Sequence, residues 1–311
     1  MTLRLKSTLG VLAVAAVLAG PAAANCDTVR FSDVGWTDIT ATTAATTLVL
    51  QTLGYETDVK VLSVPVTYAS MKNKDIDVFL GNGMPTMEAD VRPYLDDGSV
   101  KSIRVNLEGA KYTLAVPKYT FDAGLKDFAD IAKFQDELDG RIYGIEAGND
   151  GNRLIIDMID TNAFSLKGFE IVESSEQGML SQVARAVKKQ DHVVFLGWEP
   201  HPMNANFEMA YLSGGDDVFG PDFGGATVYT NIRAGYVDEC PNVGAFLNNV
   251  GFTLKMENEI MGAILNDGED PEDAAEAWLK ANPGVLDGWL AGVKTRDGGD
   301  GLAAAKAALG L

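Results

Sequence analysis

The sequence predicts an α/β protein of two lobes, each a mostly parallel sheet flanked by helices. Three observations lead there. The chain has 311 residues, and a domain commonly takes ~100–200, so two units suit the length better than one. Short β-rich runs alternate with helical patterns, as in an open parallel sheet. The alternation occurs once before residue 111 and again after it, with no low-complexity linker between.

The N-terminus stands apart from this pattern. Arg4 and Lys6 precede an almost wholly apolar run at 9–18, followed by Pro21 and Ala22-Ala23-Ala24. A basic start, a short apolar stretch and small residues make a secretory signal peptide at 1–24, with cleavage expected after Ala24. A bilayer span would need ~20 apolar residues, more than this run supplies. Asn25 separates the small residues from Cys26, which weighs against lipid attachment there. Residues 1–24 hold two basic side chains and no acidic ones, so their removal takes the formal charge from −19 to −21. The two cysteines are Cys26 and Cys240. In an oxidising compartment such a pair usually bonds, and two buried free thiols are the alternative.

The elements follow in order. Residues 29–34 alternate like a strand, 40–53 read as a helix stopped by Gly54, and 55–64 are a Val-rich strand. A short helix at 68–74 leads to a strand at 76–80. In the second half, strands are expected at 112–116, 141–145, 169–172 and 192–196, and helices at 152–159 and 175–189. The last of these is clearly amphipathic, with Leu180, Val183, Ala184 and Val187 on one face. After a Gly- and Asp-rich stretch, 226–232 is β-like. Then 243–266 and 271–281 read as helices, with a short helical stretch at the C-terminus.

Charge narrows the partners. Lys and Arg number 25 against 44 Asp and Glu, which opposes nucleic acid, since phosphate binding needs a basic face. An acidic surface instead concentrates cations. The two histidines, His192 and His201, leave little material for a metal site or a triad, and their spacing is not H-E-x-x-H. Neither G-x-S-x-G nor a P-loop occurs, and Gly81-x-Gly83 lacks the third Gly of a dinucleotide fingerprint. Asp216-Asp217 with Asp222, and Asp297 with Asp300, lack EF-hand spacing and read as turns. The expectation is a binding protein that needs no cofactor or metal, not an enzyme.

Ligands of open α/β sheets bind beyond the carboxyl ends of the strands. The loops there are Gly35-Trp36-Thr37-Asp38, Gly81-Asn82-Gly83-Met84-Pro85, Glu146-Ala147-Gly148-Asn149-Asp150-Gly151 and Gly197-Trp198-Glu199-Pro200-His201. Two of the four tryptophans, Trp36 and Trp198, directly follow a Gly in these loops. Such a Trp either caps the sheet or offers a π face to a ligand; Trp278 and Trp289, in the helical tail, read as packing. Aromatic faces attract cations, and a quaternary ammonium packs its methyls against indole and phenol rings. Asp38 would add charge attraction, and Asn149 a hydrogen bond to a ligand hydroxyl or carboxylate.

The segments Phe31-Ser32-Asp33-Val34-Gly35-Trp36-Thr37-Asp38, Ile145-Glu146-Ala147-Gly148-Asn149-Asp150-Gly151-Asn152-Arg153 and Phe195-Leu196-Gly197-Trp198-Glu199-Pro200-His201 closely resemble the periplasmic choline-binding proteins of ABC importers. These belong to the wider group that binds glycine betaine, proline betaine and choline. The resemblance runs over the mature chain, including Asp216-Asp217-Val218-Phe219-Gly220 and Asp297-Gly298-Gly299-Asp300-Gly301. It implies a type II periplasmic-binding-protein fold with the ligand in the interlobe cleft. Lobe I would be 25–110 plus 212–311, and lobe II 111–211. It also implies an aromatic box of Trp36, Tyr112 and Trp198, with Asp38 near the positive head and Asn149 on the choline hydroxyl. A Cys26–Cys240 disulfide, a monomeric state, an inner-membrane permease as partner and a role in osmoprotection are further implications.

One position departs from the pattern. The family's box carries another Trp where this chain has Gly83. Losing that indole would cost ~1–3 kcal/mol for the same ligand. Two outcomes are open. Met84 or a neighbour fills the gap and choline binds more weakly, or the space admits a different or larger quaternary amine such as glycine betaine, acetylcholine or carnitine.

Overall fold

The computed structural model describes residues 26–311; the expected signal peptide lies outside the described residues. Nine strands form one curled sheet: β1 Thr28–Asp33, β2 Glu56–Val61, β3 Val78–Met84, β4 Val100–Pro117, β5 Arg141–Tyr143, β6 Glu170–Val172, β7 Phe195–Glu199, β8 Met209–Tyr211 and β9 Gly225–Arg233. The order is β2-β1-β3-β9-β4-β7-β5-β6, with β8 also on β4. The sets β2-β1-β3 and β7-β5-β6 are parallel. The strands that join them, β4 and β9, run antiparallel to their neighbours.

Two parallel sets therefore share a central ribbon. The first half of β4 pairs with β9, and its second half pairs with β7 and β8. Three register shifts interrupt the β4–β9 ladder. Each shift adds local twist and bends the strand, which lets one strand serve two differently oriented sets. Cores form on either side of the ribbon. Phe31, Val78, Ile232 and Phe246 belong to one cluster, with Tyr68, Phe79 and Val91 in a smaller neighbour. Leu114, Ile142, Phe195 and Phe219 belong to the other. Leu212 and Phe219 lie past the expected lobe edge at 211, yet both are buried in this last cluster.

Two expectations need correction. The strand expected at 112–116 begins at Val100, because the register shifts and the positive φ of Gly109 break the two-residue period that reveals a strand. The single helix expected at 243–266 is two, Pro241–Asn249 and Leu254–Gly262. Between them the Phe252 amide donates to Asn106 O on β4 at 2.7 Å. Thr253 then caps the second helix, its Oγ1 accepting the Met256 amide at 3.1 Å.

Cys26 and Cys240 form a disulfide across 214 residues of sequence. It fixes the start of β1 to the N-terminal end of the helix Pro241–Asn249. Replacing both by Ser should lower unfolding stability by about 2–4 kcal/mol, as removal of long-loop disulfides generally does. Urea denaturation of the oxidised protein and the double variant measures this.

Candidate functional site

Trp36, Asp38, Gly83, Tyr112, Asn149 and Trp198 line one cavity of about 70 Å³. That is several times the ~10–15 Å³ one water requires. Ile39, Met87, Leu107, Ala110 and Val228 make much of the remaining wall apolar. The cavity sits on the ribbon between the two core regions, with lining residues from both parallel sets.

Local chemistry sets each side chain. Gly35 has φ +81°, a conformation that suits glycine. The Asp33 carboxylate fixes this turn by accepting the Gly35 amide and the Thr40 hydroxyl, each at 2.7 Å. Trp36 follows at the N-cap of the helix Thr37–Thr52, and its indole N–H donates to Glu146 Oε1 at 2.8 Å. Glu146 lies just beyond β5, so this bond crosses the cleft. Asp38 is in the first turn of the same helix, where a negative charge is favoured.

Tyr112 and Trp198 are direct partners on β4 and β7. Their rings meet edge to face, with centroids 6.2 Å apart at 77°. Behind Trp198, the His201 ring packs at 4.8 Å. The Tyr112 hydroxyl donates to Asn149 Oδ1 at 2.8 Å. That oxygen also accepts the Asn152 amide at 3.0 Å, making Asn149 the N-cap of the helix Asp150–Asp160. One Asn149 side-chain N–H goes to Asp150 at 3.2 Å. An amide carries two, so one N–H remains for a ligand oxygen. Gly151 is required beside it, because a Cβ there would collide with the Tyr112 hydroxyl.

The site is electronegative. Burial, reinforced by the nearby Glu176 carboxylate, pushes Asp38 up to about 7. Burial likewise raises Asp150 to about 6 and holds Glu146 and Asp33 above the usual carboxylate range. The nearby cations are engaged: Lys111 lies 3.4 Å from Glu199, and Arg153 bonds Asp90 at 2.6 Å. A cation placed here meets carboxylates that favour it and a wall that includes Trp36, Tyr112 and Trp198.

Met84 is not brought to the cavity. Successive strand residues face opposite sides, and Met84 packs beside the cluster of Tyr68 and Phe79. Met87 lines the cavity instead. A Cβ built on Gly83 finds no atom within 4 Å, so the space beside it is open. Glu146, Asp150, Glu176 and His201 were not picked out as site residues. Three stand in strand-end loops whose neighbours were, but Glu176 opens a surface-like helix and carries no sequence signal of its role. The acid-rich tail makes turns and caps: Asp300 Oδ1 accepts the Ala303 amide at the start of the helix Gly301–Leu309.

Residues 27–281 match the OpuAC family, the substrate binding domain of ABC-type glycine betaine transport system. The chain belongs to the OpuAC family. It is 72% identical to a solved ABC-transporter choline binding protein in complex with choline, with a TM-score of 0.91 over 91% of this chain and 98% of that one. An unliganded semi-closed form of an ABC-transporter choline binding protein is 73% identical, with a TM-score of 0.85 over 92% and 99%. The arrangement of this OpuAC-family chain is thus nearer the choline-bound structure. An uncharacterized protein, ORF1, of Chromohalobacter salexigens is 53% identical over 150 residues, 48% of this chain and 97% of that one.

Proposed function

We propose that this chain is the solute-binding component of an ABC importer in the periplasm, that it captures choline without altering it, and that it hands it to an inner-membrane permease. One observation carries the reading: Trp36, Tyr112 and Trp198 line one cavity together with the half-buried Asp38. The trimethylammonium head lies among the rings, and Asn149 donates its remaining N–H to the ligand hydroxyl. The lobes divide near residues 110 and 211, with Leu212 and Phe219 packing in the core of the second. Both contribute walls, so the full set of contacts exists only in the closed state, which the ligand populates by binding it preferentially. The likeness to the choline-bound relative supports this choice of ligand. So does the charge balance, since a betaine carboxylate would face Asp38 and Asp150 with Lys111 already beside Glu199.

The open space at Gly83 favours a second reading, a quaternary amine with a larger substituent on that side. Calorimetric titration with choline, acetylcholine, glycine betaine, proline betaine, carnitine and trimethylamine N-oxide separates the two. Choline as the tightest ligand upholds the first; no binding by any of them removes the function. Gly83→Trp should tighten choline about fivefold to a hundredfold, the return of ~1–3 kcal/mol of ring contact. The open space at its Cβ position and the ordinary φ of Gly83 accept a side chain there. Weaker choline binding in that variant, with the larger amines also lost, points to the second reading.

A further inference from the structure

The geometry points to Glu176 as a positioning residue for ligand binding, acting through Thr37 on the segment that carries Trp36 and Asp38. This deepens the proposed function and rests on it for the ligand. The first amides of a helix need acceptors. Trp36, at the N-cap of Thr37–Thr52, makes no side-chain cap bond. Glu176 supplies the missing acceptor from the other core region. Its Oε2 accepts the Thr37 amide at 2.8 Å, and its Oε1 accepts the Thr37 hydroxyl at 2.5 Å. Both helices that meet here, Thr37–Thr52 and Glu176–Lys189, present their N-termini to this carboxylate, where a negative charge is favoured.

His201 completes the bridge. Its Nδ1 accepts the Met203 amide at 2.9 Å, which leaves Nε2–H to donate to Glu176 Oε1 at 3.2 Å. Glu176 and His201 are each 1% exposed, and charge-assisted bonds in so dry a place are strong. His201 also supports the Trp198 ring. A continuous chain of contacts therefore runs behind the aromatic walls, from Trp198 through His201 and Glu176 to Thr37, next to Trp36 and Asp38. One end, Thr37, opens the helix that follows β1, and the other, Trp198, lies on β7, so the chain joins the two parallel sets and forms as the lobes shut. Affinity scales with the population of the binding-competent state; Glu176 contributes by holding that state.

Stopped-flow binding of choline to Glu176→Ala, Thr37→Val and the double variant is the test. The dissociation rate should rise at least about tenfold in Glu176→Ala, with the association rate changed less than threefold. The double variant should lose little more than Glu176→Ala, because both changes break one bridge. A merely structural role would lower the fraction of protein able to bind and leave the dissociation rate alone. Dissociation rates within twofold of the unaltered protein, or effects that multiply independently, overturn the inference. If the unaltered protein binds no choline, the functional reading fails, and small-angle X-ray scattering without ligand decides this one. Glu176→Ala should then show a larger radius of gyration than the unaltered chain, and equal radii refute it.

Discussion

Trp198→Ala is expected to raise the Kd for choline by about a hundredfold or more. The substitution removes one cation–π face, worth ~0.5–2 kcal/mol, together with the apolar wall that excludes water from the cation. It also frees Tyr112, whose ring meets Trp198 edge to face. Trp198 is 6% exposed, so part of the change will appear as lower stability, and circular dichroism must establish that the variant is folded. Trp198→Phe separates the effects. The Trp198 indole N–H is buried without a hydrogen-bond partner among the described residues, so losing it breaks no hydrogen bond to them. Phe keeps an aromatic face, and its Kd should stay within about tenfold of the original. Equal losses in the Ala and Phe variants would show that the ring face is not what binds.

Choline affinity should fall as pH is lowered from 8 to 6, by up to about tenfold per unit below the Asp38 pKa. Burial first, then Glu176, raises Asp38 to about 7. Asp33 also faces it, as does Glu257, itself held well above the usual range by burial. These acids and burial outweigh the Ile39 amide, which donates to Asp38 Oδ1 at 2.9 Å and favours its ionisation. A bound cation also favours it. Binding near pH 7 therefore releases a proton, and at lower pH that proton must be removed first. Titrations in buffers of different ionisation enthalpy measure the release. Asp38→Asn should weaken binding at pH 8 and abolish the upper step, leaving only the fall below about 6 that belongs to Asp150. The linkage to folding has the opposite sense: the folded Asp38 holds its proton up to about 7 and the unfolded one only to about 4. Its contribution to the stability of the protein without ligand therefore declines as pH rises between those values. An unchanged profile in Asp38→Asn would place the titrating group elsewhere.

The strand-end loops were legible because glycine, tryptophan and acids cluster there, and open α/β sheets put ligands at such ends. The parallel sets were legible because β1 and the helix Glu176–Lys189 keep clean periods and β3 opens on a short apolar run. The antiparallel ribbon was not, since the shifts in β4 erase its period just where the two halves join. Nor was the bridge behind the rings. Glu176 and Thr37 are 139 residues apart, and a glutamate at a helix start looks the same whether it caps its own helix or another. Gly83 was singled out as a gap, but only its open surroundings show that Met84 turns away from it.

The central claim is that charge, not shape, holds the ligand among Trp36, Tyr112, Trp198 and Asp38. Titrating the protein with choline and with 3,3-dimethyl-1-butanol, which has the same outline but carbon in place of the charged nitrogen, tests it most directly. Three ring contacts at ~0.5–2 kcal/mol each, with a carboxylate beside them, predict choline tighter by about a hundredfold or more. Equal affinity for the two would contradict the account.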